Sequence, residues 1–177
     1  VKPNPEVDRQ GYVQLEVEVY GGALFAPWFD RDLSIAGRVH YKSRRGELRS
    51  ALIDFSDPIA VIPSLAIHLN RGVNDSRSIN AQKELVPLLS QLGKEEDFDF
   101  NELLLQQVKK QPAHRSAQEI LAHELFLYDT QAASLIGLKQ EFISSARLDN
   151  LLSCFLACKA LVNCKNTHAS LLVCNDP

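Results

Sequence analysis

Two residues of this sequence combine a chemically competent side chain with a setting that could put it to use. The first is Asp149. It follows Ile143-Ser144-Ser145-Ala146-Arg147-Leu148 and directly precedes an apolar stretch. In that stretch Leu151, Leu152, Phe155, Leu156, Leu161 and Val162 recur at helical spacing, with small Ala157, Cys158 and Ala160 between them. The pattern predicts a buried helix over 151–162, with Asp149 and Asn150 at its first turn. A carboxylate there can cap the free N–H groups of the helix. It can equally point away and hold a metal ion or substrate at the mouth of a sheet. The second residue is His68, alone among Leu65, Ala66, Ile67 and Leu69 and beside Asn70 and Arg71. It reads either as a core histidine or as a ligand or oxyanion donor. From the local residues both questions stay open.

Other reactive types carry less. Cys154, Cys158, Cys164 and Cys174 all fall in the last quarter of the chain, with no Cys-x-x-Cys pair. They read as reduced thiols packed as small apolar residues, which favours a reducing compartment such as the cytoplasm. His40 sits on the polar face of a strand and is expected to face solvent. His114 and His123 have no partners at ligand spacing and are read as structural.

The elements that must position these residues come in two styles. Val1 to Pro5 is extended, because Pro3 and Pro5 do not suit a helix interior. Tyr12 to Val19 alternates, with Val13, Leu15, Val17 and Val19 on one face, and predicts a half-buried strand ended by Gly21-Gly22. Trp28-Phe29 then crosses as an aromatic loop, followed by the charge knot Asp30-Arg31-Asp32. Ile35 to Lys42 and Leu48 to Phe55 predict a hairpin turning at Ser43-Arg44-Arg45-Gly46. Ile59 to Ile62 predicts a short strand ended by Pro63. Residues 72–80 are a polar loop, Leu85 to Leu92 forms no clear helix, and Gly93-Lys94-Glu95-Glu96-Asp97 is a solvated, mobile excursion. Asp99 with Glu102 has the form of a capping box before a helix running to about Lys110. Ser116 with Glu119 repeats that form and predicts a short helix through Leu121, followed by a strand from His123 to Asp129. After Gln131 to Leu138 the pattern changes to strand, loop, helix and an apolar strand at Leu171 to Cys174, which is α/β logic.

The bulk properties exclude some function classes. The 177 residues carry 19 basic and 22 acidic side chains, a formal charge of -3. That argues against a nucleic-acid partner, which calls for a basic excess or stripe. No apolar run approaches the roughly 18 residues of a membrane span, so no membrane role is expected. The sequence contains no Met and shows no signal peptide at its start.

Several motifs in order resemble the M18 metallopeptidases, the aspartyl aminopeptidases and their bacterial relatives. They are Tyr20-Gly21-Gly22, Trp28-Phe29-Asp30-Arg31-Asp32-Leu33, Ile62-Pro63-Ser64-Leu65-Ala66-Ile67-His68-Leu69, Tyr128-Asp129-Thr130-Gln131, Arg147-Leu148-Asp149-Asn150 and Val173-Cys174-Asn175-Asp176. The resemblance runs the whole length. It implies an α/β metallopeptidase catalytic domain, partial here, with an inserted β-rich dimerisation domain. The implied boundaries are 1–4 for the end of an N-terminal catalytic segment, 5–131 for the insert and 132–177 for the partial catalytic domain. It also implies two zinc ions per site, a peptide substrate with an acidic N-terminal residue, and a homo-oligomer built from dimers into a dodecamer. Asp149 matches the carboxylate that bridges the zinc ions. His68 matches a histidine that reaches from the insert into a neighbouring subunit's active site to contact substrate and the developing oxyanion. An alternative assignment makes His68 a zinc ligand.

This chain departs from the family at both ends. The family's His-x-Asp motif falls just before Val1, and its Asn-Asp-His-Glu-Glu run is met here by Asn175-Asp176-Pro177. The chain is therefore expected to be an excised or truncated piece. Without the general-base Glu and the remaining ligands it is expected to be inactive alone. The apolar faces it leaves uncovered are expected to drive association.

Overall fold

The computed structural model describes residues 1–93, 96–165 and 168–175. Lys94 and Glu95 of the expected excursion, and Asp176 and Pro177 of the last motif, lie outside the described residues. The chain forms two compact units, Val1–Thr130 and a second that begins at Gln131.

The first unit is built on two antiparallel three-stranded sheets. One orders β1 (Glu6–Arg9), β2 (Tyr12–Leu15) and β5 (Leu88–Gln91) as β1-β2-β5. Its hairpin closes through Gln10 and Gly11 at φ 57° and 80°, the pair of positive angles that suits a tight two-residue turn. The other sheet orders β3 (Leu33–Ser43), β4 (Leu48–Asp54) and β6 (Ala117–Asp129) as β4-β3-β6. The expected β3–β4 hairpin is present, with Val39 opposite Ala51 and Gly37 opposite Ile53.

Alternation decides which face is dry. Ile35, Val39, Tyr41, Ala51, Ile53 and Leu125 are all buried, against Leu104 and Val108 of helix α2 (Phe100–Lys109). Asp99 caps α2 as its sequence predicts, its Oδ1 accepting from the amides of Asn101 at 2.8 Å and Glu102 at 3.1 Å. Glu102 does not reach back to complete the box; it accepts from Gln106 instead. The same helix and the residues just past its end shield the edge strand β4. Gln107 and Gln111 donate to the carbonyls of Asp54 and Leu52, both at 2.6 Å. Those carbonyls would otherwise offer a pairing edge to another chain.

Four expectations are corrected here. There is no helix at Ser116 to Leu121, because β3 extends to Ser43 and takes Ala117 to Ile120 as its partner across two register shifts. Pairing and burial outweigh the local capping signal. The first alternating strand ends at Leu15 rather than Val19. Ile59 to Ile62 makes isolated bridges instead of a strand: Leu33 to Ala60, Val61 to Leu88 and Phe29 to Ile62. These stitch the two sheets around Leu33, Ala60, Ile62 and Leu85. A short helix, α1 (Ala81–Glu84), precedes β5 and is capped by the Asn80 side chain.

The second unit contains a two-stranded hairpin, β7 (Ser134–Ile136) with β8 (Phe142–Ser144), and helix α3 (Leu148–Asn163). The fourth correction belongs to it. Leu171 to Cys174 form no strand, and α3 buries none of its residues, although its apolar spacing predicts a core helix. Leu151, Phe155 and Leu156 are each more than half exposed. Among the described residues, none from Gln131 onward is buried.

Candidate functional site

Asp149 stands at the start of α3 but outside its regular geometry. Arg147 turns the chain with φ 59° and ψ 30°, and Asp149 itself is non-helical at φ -86° and ψ 115°. The peptide bond from Asp149 to Asn150 is cis. The helix start has no side-chain cap. Asp149 is exposed, and its carboxylate accepts no hydrogen bond from any described residue. A carboxylate in the capping role would be occupied by an amide two or three residues on. This one is free to accept a ligand from solvent.

One turn further, the Cys154 thiol approaches Asn150 Oδ1 at 3.7 Å. All four cysteines are free thiols. Contact with Cys154 pushes the Cys174 thiol above its ordinary pKa, with partial desolvation and the neighbouring Cys158 acting the same way.

His68 belongs to the first unit. It sits in a single 3-10 turn, Ile67–Leu69, closed by the Leu69 amide to the Ala66 carbonyl at 2.9 Å. It is exposed, as are Leu65, Ile67 and Leu69 at 65%, 51% and 68%. The core-histidine reading therefore fails: the residues around His68 are apolar, yet they form no core. His40 faces solvent as expected. His114 is structural, its Nδ1 2.7 Å from the buried Tyr41 hydroxyl. His123 packs edge-on to Phe100 at 5.7 Å.

The loop bearing His68 is fastened by residues to which the sequence assigns no role. Asp30, at φ 57°, donates its amide to the Ile62 carbonyl at 2.9 Å. Its Oδ1 accepts the Ser64 amide at 2.8 Å. Next to it, Arg31 pairs with Asp129 at 3.1 Å, and Thr130 donates its amide and its hydroxyl to the Asp32 carbonyl at 2.9 and 3.0 Å. The signal for these contacts was the charge knot itself; its partners, 32 to 98 residues away in sequence, were not legible from it.

The sequence profile described as "Aminopeptidase I zinc metalloprotease (M18)" matches residues 1–176. The chain belongs to the M18 family. It is 56% identical over 176 residues to the "Probable M18 family aminopeptidase 2" of Ectopseudomonas mendocina, covering 99% of this chain and 41% of that protein. Among solved structures it is similar to a chain of the cryo-EM structure of the Ape4 and Nbr1 complex, at TM-score 0.80 and 36% identity, covering 90% of this chain and 33% of that one. It is also similar to a chain of the S. cerevisiae mApe1 dodecamer, at TM-score 0.68 and 30% identity, covering 91% and 35%. This M18 chain thus spans about two fifths of the length of the curated relatives it matches.

The family is one of zinc metalloproteases, and a zinc site needs three or four donors. Among the described residues no three His, Cys, Asp or Glu side chains converge on one point. The described residues do not make up a zinc site by themselves. Asp149 is one exposed carboxylate, and it belongs to no such group among the described residues. Nor is any described helix long and apolar enough to cross a membrane.

Proposed function

We propose that this chain is a segment of an M18 zinc aminopeptidase that removes N-terminal residues, acidic ones in preference, from peptides. In this reading residues 5–131 are an inserted dimerisation domain, and 1–4 and 132–177 belong to a catalytic domain that is only partly represented. Asp149 contributes the carboxylate that bridges a pair of zinc ions. His68 contacts substrate and the developing oxyanion in an adjoining protomer of a dodecamer built from dimers, working in the cytoplasm. The assignment of His68 as a zinc ligand is the weaker one, because His68 falls in the first unit and Asp149 in the second.

The observation that carries the proposal is the state of Asp149. It is exposed, outside helical geometry and unbonded where a cap would be bonded. The family membership and the similarity to a dodecameric structure support the rest.

A second reading applies to the 177-residue chain taken alone: a non-catalytic folding and assembly module. It is favoured by the lack of a converging donor set among the described residues and by the exposed apolar residues after Gln131. The two readings meet in one experiment. The isolated chain should bind no zinc tightly and should not turn over an aspartyl-anilide. A full-length M18 aminopeptidase carrying this segment in place of its own should bind zinc and turn over, and should lose both with Asp149→Asn. Turnover by the isolated chain, or full zinc content in the Asp149→Asn variant, would refute the assignment.

A further inference from the structure

The loop 64–77 carries His68 on an exposed surface, and Leu65, Ile67 and Leu69 beside it are each more than half exposed. The loop is nonetheless tied at both ends, and the two ties lead to two adjacent residues, Asp30 and Phe29. At the near end, Asp30 brackets Pro63. Its amide donates to Ile62 on one side and its carboxylate accepts from Ser64 on the other, at 2.9 and 2.8 Å. Pro63 has no N–H of its own to give, so the residues on either side of it must be fixed from outside. At the far end, the Arg77 guanidinium lies 3.9 Å over the Phe29 ring. Phe29 also bridges to Ile62 and, like Ile79, packs against the small core around Leu33.

Asp30 is suited to this position chemically. Aspartate tolerates positive φ better than most residues with a Cβ, and its short side chain can accept from a nearby amide. The Ser64 amide, then the Ser64 hydroxyl, hold the Asp30 carboxyl below the ordinary carboxylate pKa; burial opposes them, and the positive charge of Arg77 adds a lesser pull downward. The acceptor is thus ionised throughout the neutral range, and a hydrogen bond to a charged acceptor is among the stronger kinds.

We infer that Phe29 and Asp30 form a clamp that sets the position of His68, with Asp30 as a positioning residue: it fixes the base of the loop on Ser64 while Phe29 holds Arg77. The inference rests on the proposed substrate role of His68 for its catalytic consequence, but the clamp stands on the loop's own contacts.

The test has a structural arm and a kinetic arm. The structural arm uses this chain. Asp30→Gly removes the carboxylate and accommodates the positive φ, while Asp30→Asn keeps an acceptor in place. Hydrogen exchange at the Ser64 amide and tryptic cleavage after Arg71 should rise about tenfold or more in Asp30→Gly and stay within about threefold in Asp30→Asn. Unchanged exchange at Val39 and Leu125 shows that the fold is intact. Arg77→Gln, which leaves Asp30 untouched, is the second variant and should also speed cleavage after Arg71. If neither variant changes Ser64 exchange or Arg71 cleavage, the clamp does not exist.

The kinetic arm uses the full-length enzyme carrying this segment. There Asp30→Gly should lower kcat about tenfold or more, as expected for a misplaced contact group, and Asp30→Asn should restore most of it. Loss of activity in His68→Gln together with an unchanged kcat in Asp30→Gly overturns the positioning role while leaving the His68 reading intact. Full activity in His68→Gln overturns the His68 reading, and the clamp is then decided by Ser64 exchange alone.

Discussion

His123 is a half-buried residue whose two ring nitrogens are shielded from solvent, with no well-formed hydrogen bond to them among the described residues. Burial holds its pKa below the ordinary histidine value, the amino-terminal charge of Val1 adds to this, and the nearby Pro3 carbonyl pulls weakly the other way. The folded chain therefore takes up a proton on His123 at a lower pH than the unfolded chain, which titrates at about pH 6.5. As pH falls through that value the unfolded state takes up a proton that the folded state refuses, so acid destabilises the fold. The loss begins near pH 6.5 and ends at the folded-state pKa. Its slope is at most about 1.4 kcal/mol per pH unit. Chemical denaturation at a series of pH values should show this slope in the parent chain and its disappearance in His123→Phe; a flat profile in the parent would contradict it. At this scale the sequence was only partly informative. The capping residue Asp99 was legible because its cue and its partners lie within three residues of each other. The free state of Asp149 was not, because cap and ligand share one sequence pattern and only backbone angles separate them.

At the scale of elements, β3 shows why pairing partners escaped the sequence. Its alternation was plain, and so was the short turn to β4. What Ser116 and Glu119 could not reveal was that a free edge of β3 waits for them, since that contact spans residues 43 to 117. Gly37 marks how closely β3 and β6 approach. It has φ 153°, and a Cβ there would run into the Glu124 carbonyl and the Leu125 backbone. Neither can retreat without breaking the ladder. Gly37→Ala should destabilise the first unit by about 2 kcal/mol or more, seen as a lower thermal midpoint. A midpoint unchanged within error would mean that the strands part without penalty. Gly46 sits in an open turn, with nothing within 4 Å of a new Cβ. At φ 79° it still favours glycine, but Gly46→Ala carries only the backbone cost of about 1 kcal/mol. The difference between the two variants isolates the close approach.

For the molecule as a whole, the two units differ in kind. The first has a closed core and a guarded sheet edge. The second exposes Leu151, Phe155, Leu156, Leu171 and Val173, each by more than half. Apolar spacing predicted a buried helix there because spacing reports which face seeks cover, not whether cover is present. Apolar surface of this kind drives association once a contiguous patch exceeds about 400 Å². Light scattering of the purified chain should therefore show oligomers, and residues 1–130 prepared alone should scatter as a smaller species; a clean monomer of the 177-residue chain would count against this.

The central claim is that one protomer lends His68 to a site that another protomer builds around Asp149. Co-expression of two inactive full-length variants carrying this segment, His68→Gln and Asp149→Asn, tests it most directly. In a mixed oligomer some sites combine an intact Asp149 with a neighbour's intact His68. With random assembly these make up roughly a quarter of all sites, so about that share of parental activity should return, while each variant alone stays inactive. A mixed oligomer as inactive as its components would contradict the account.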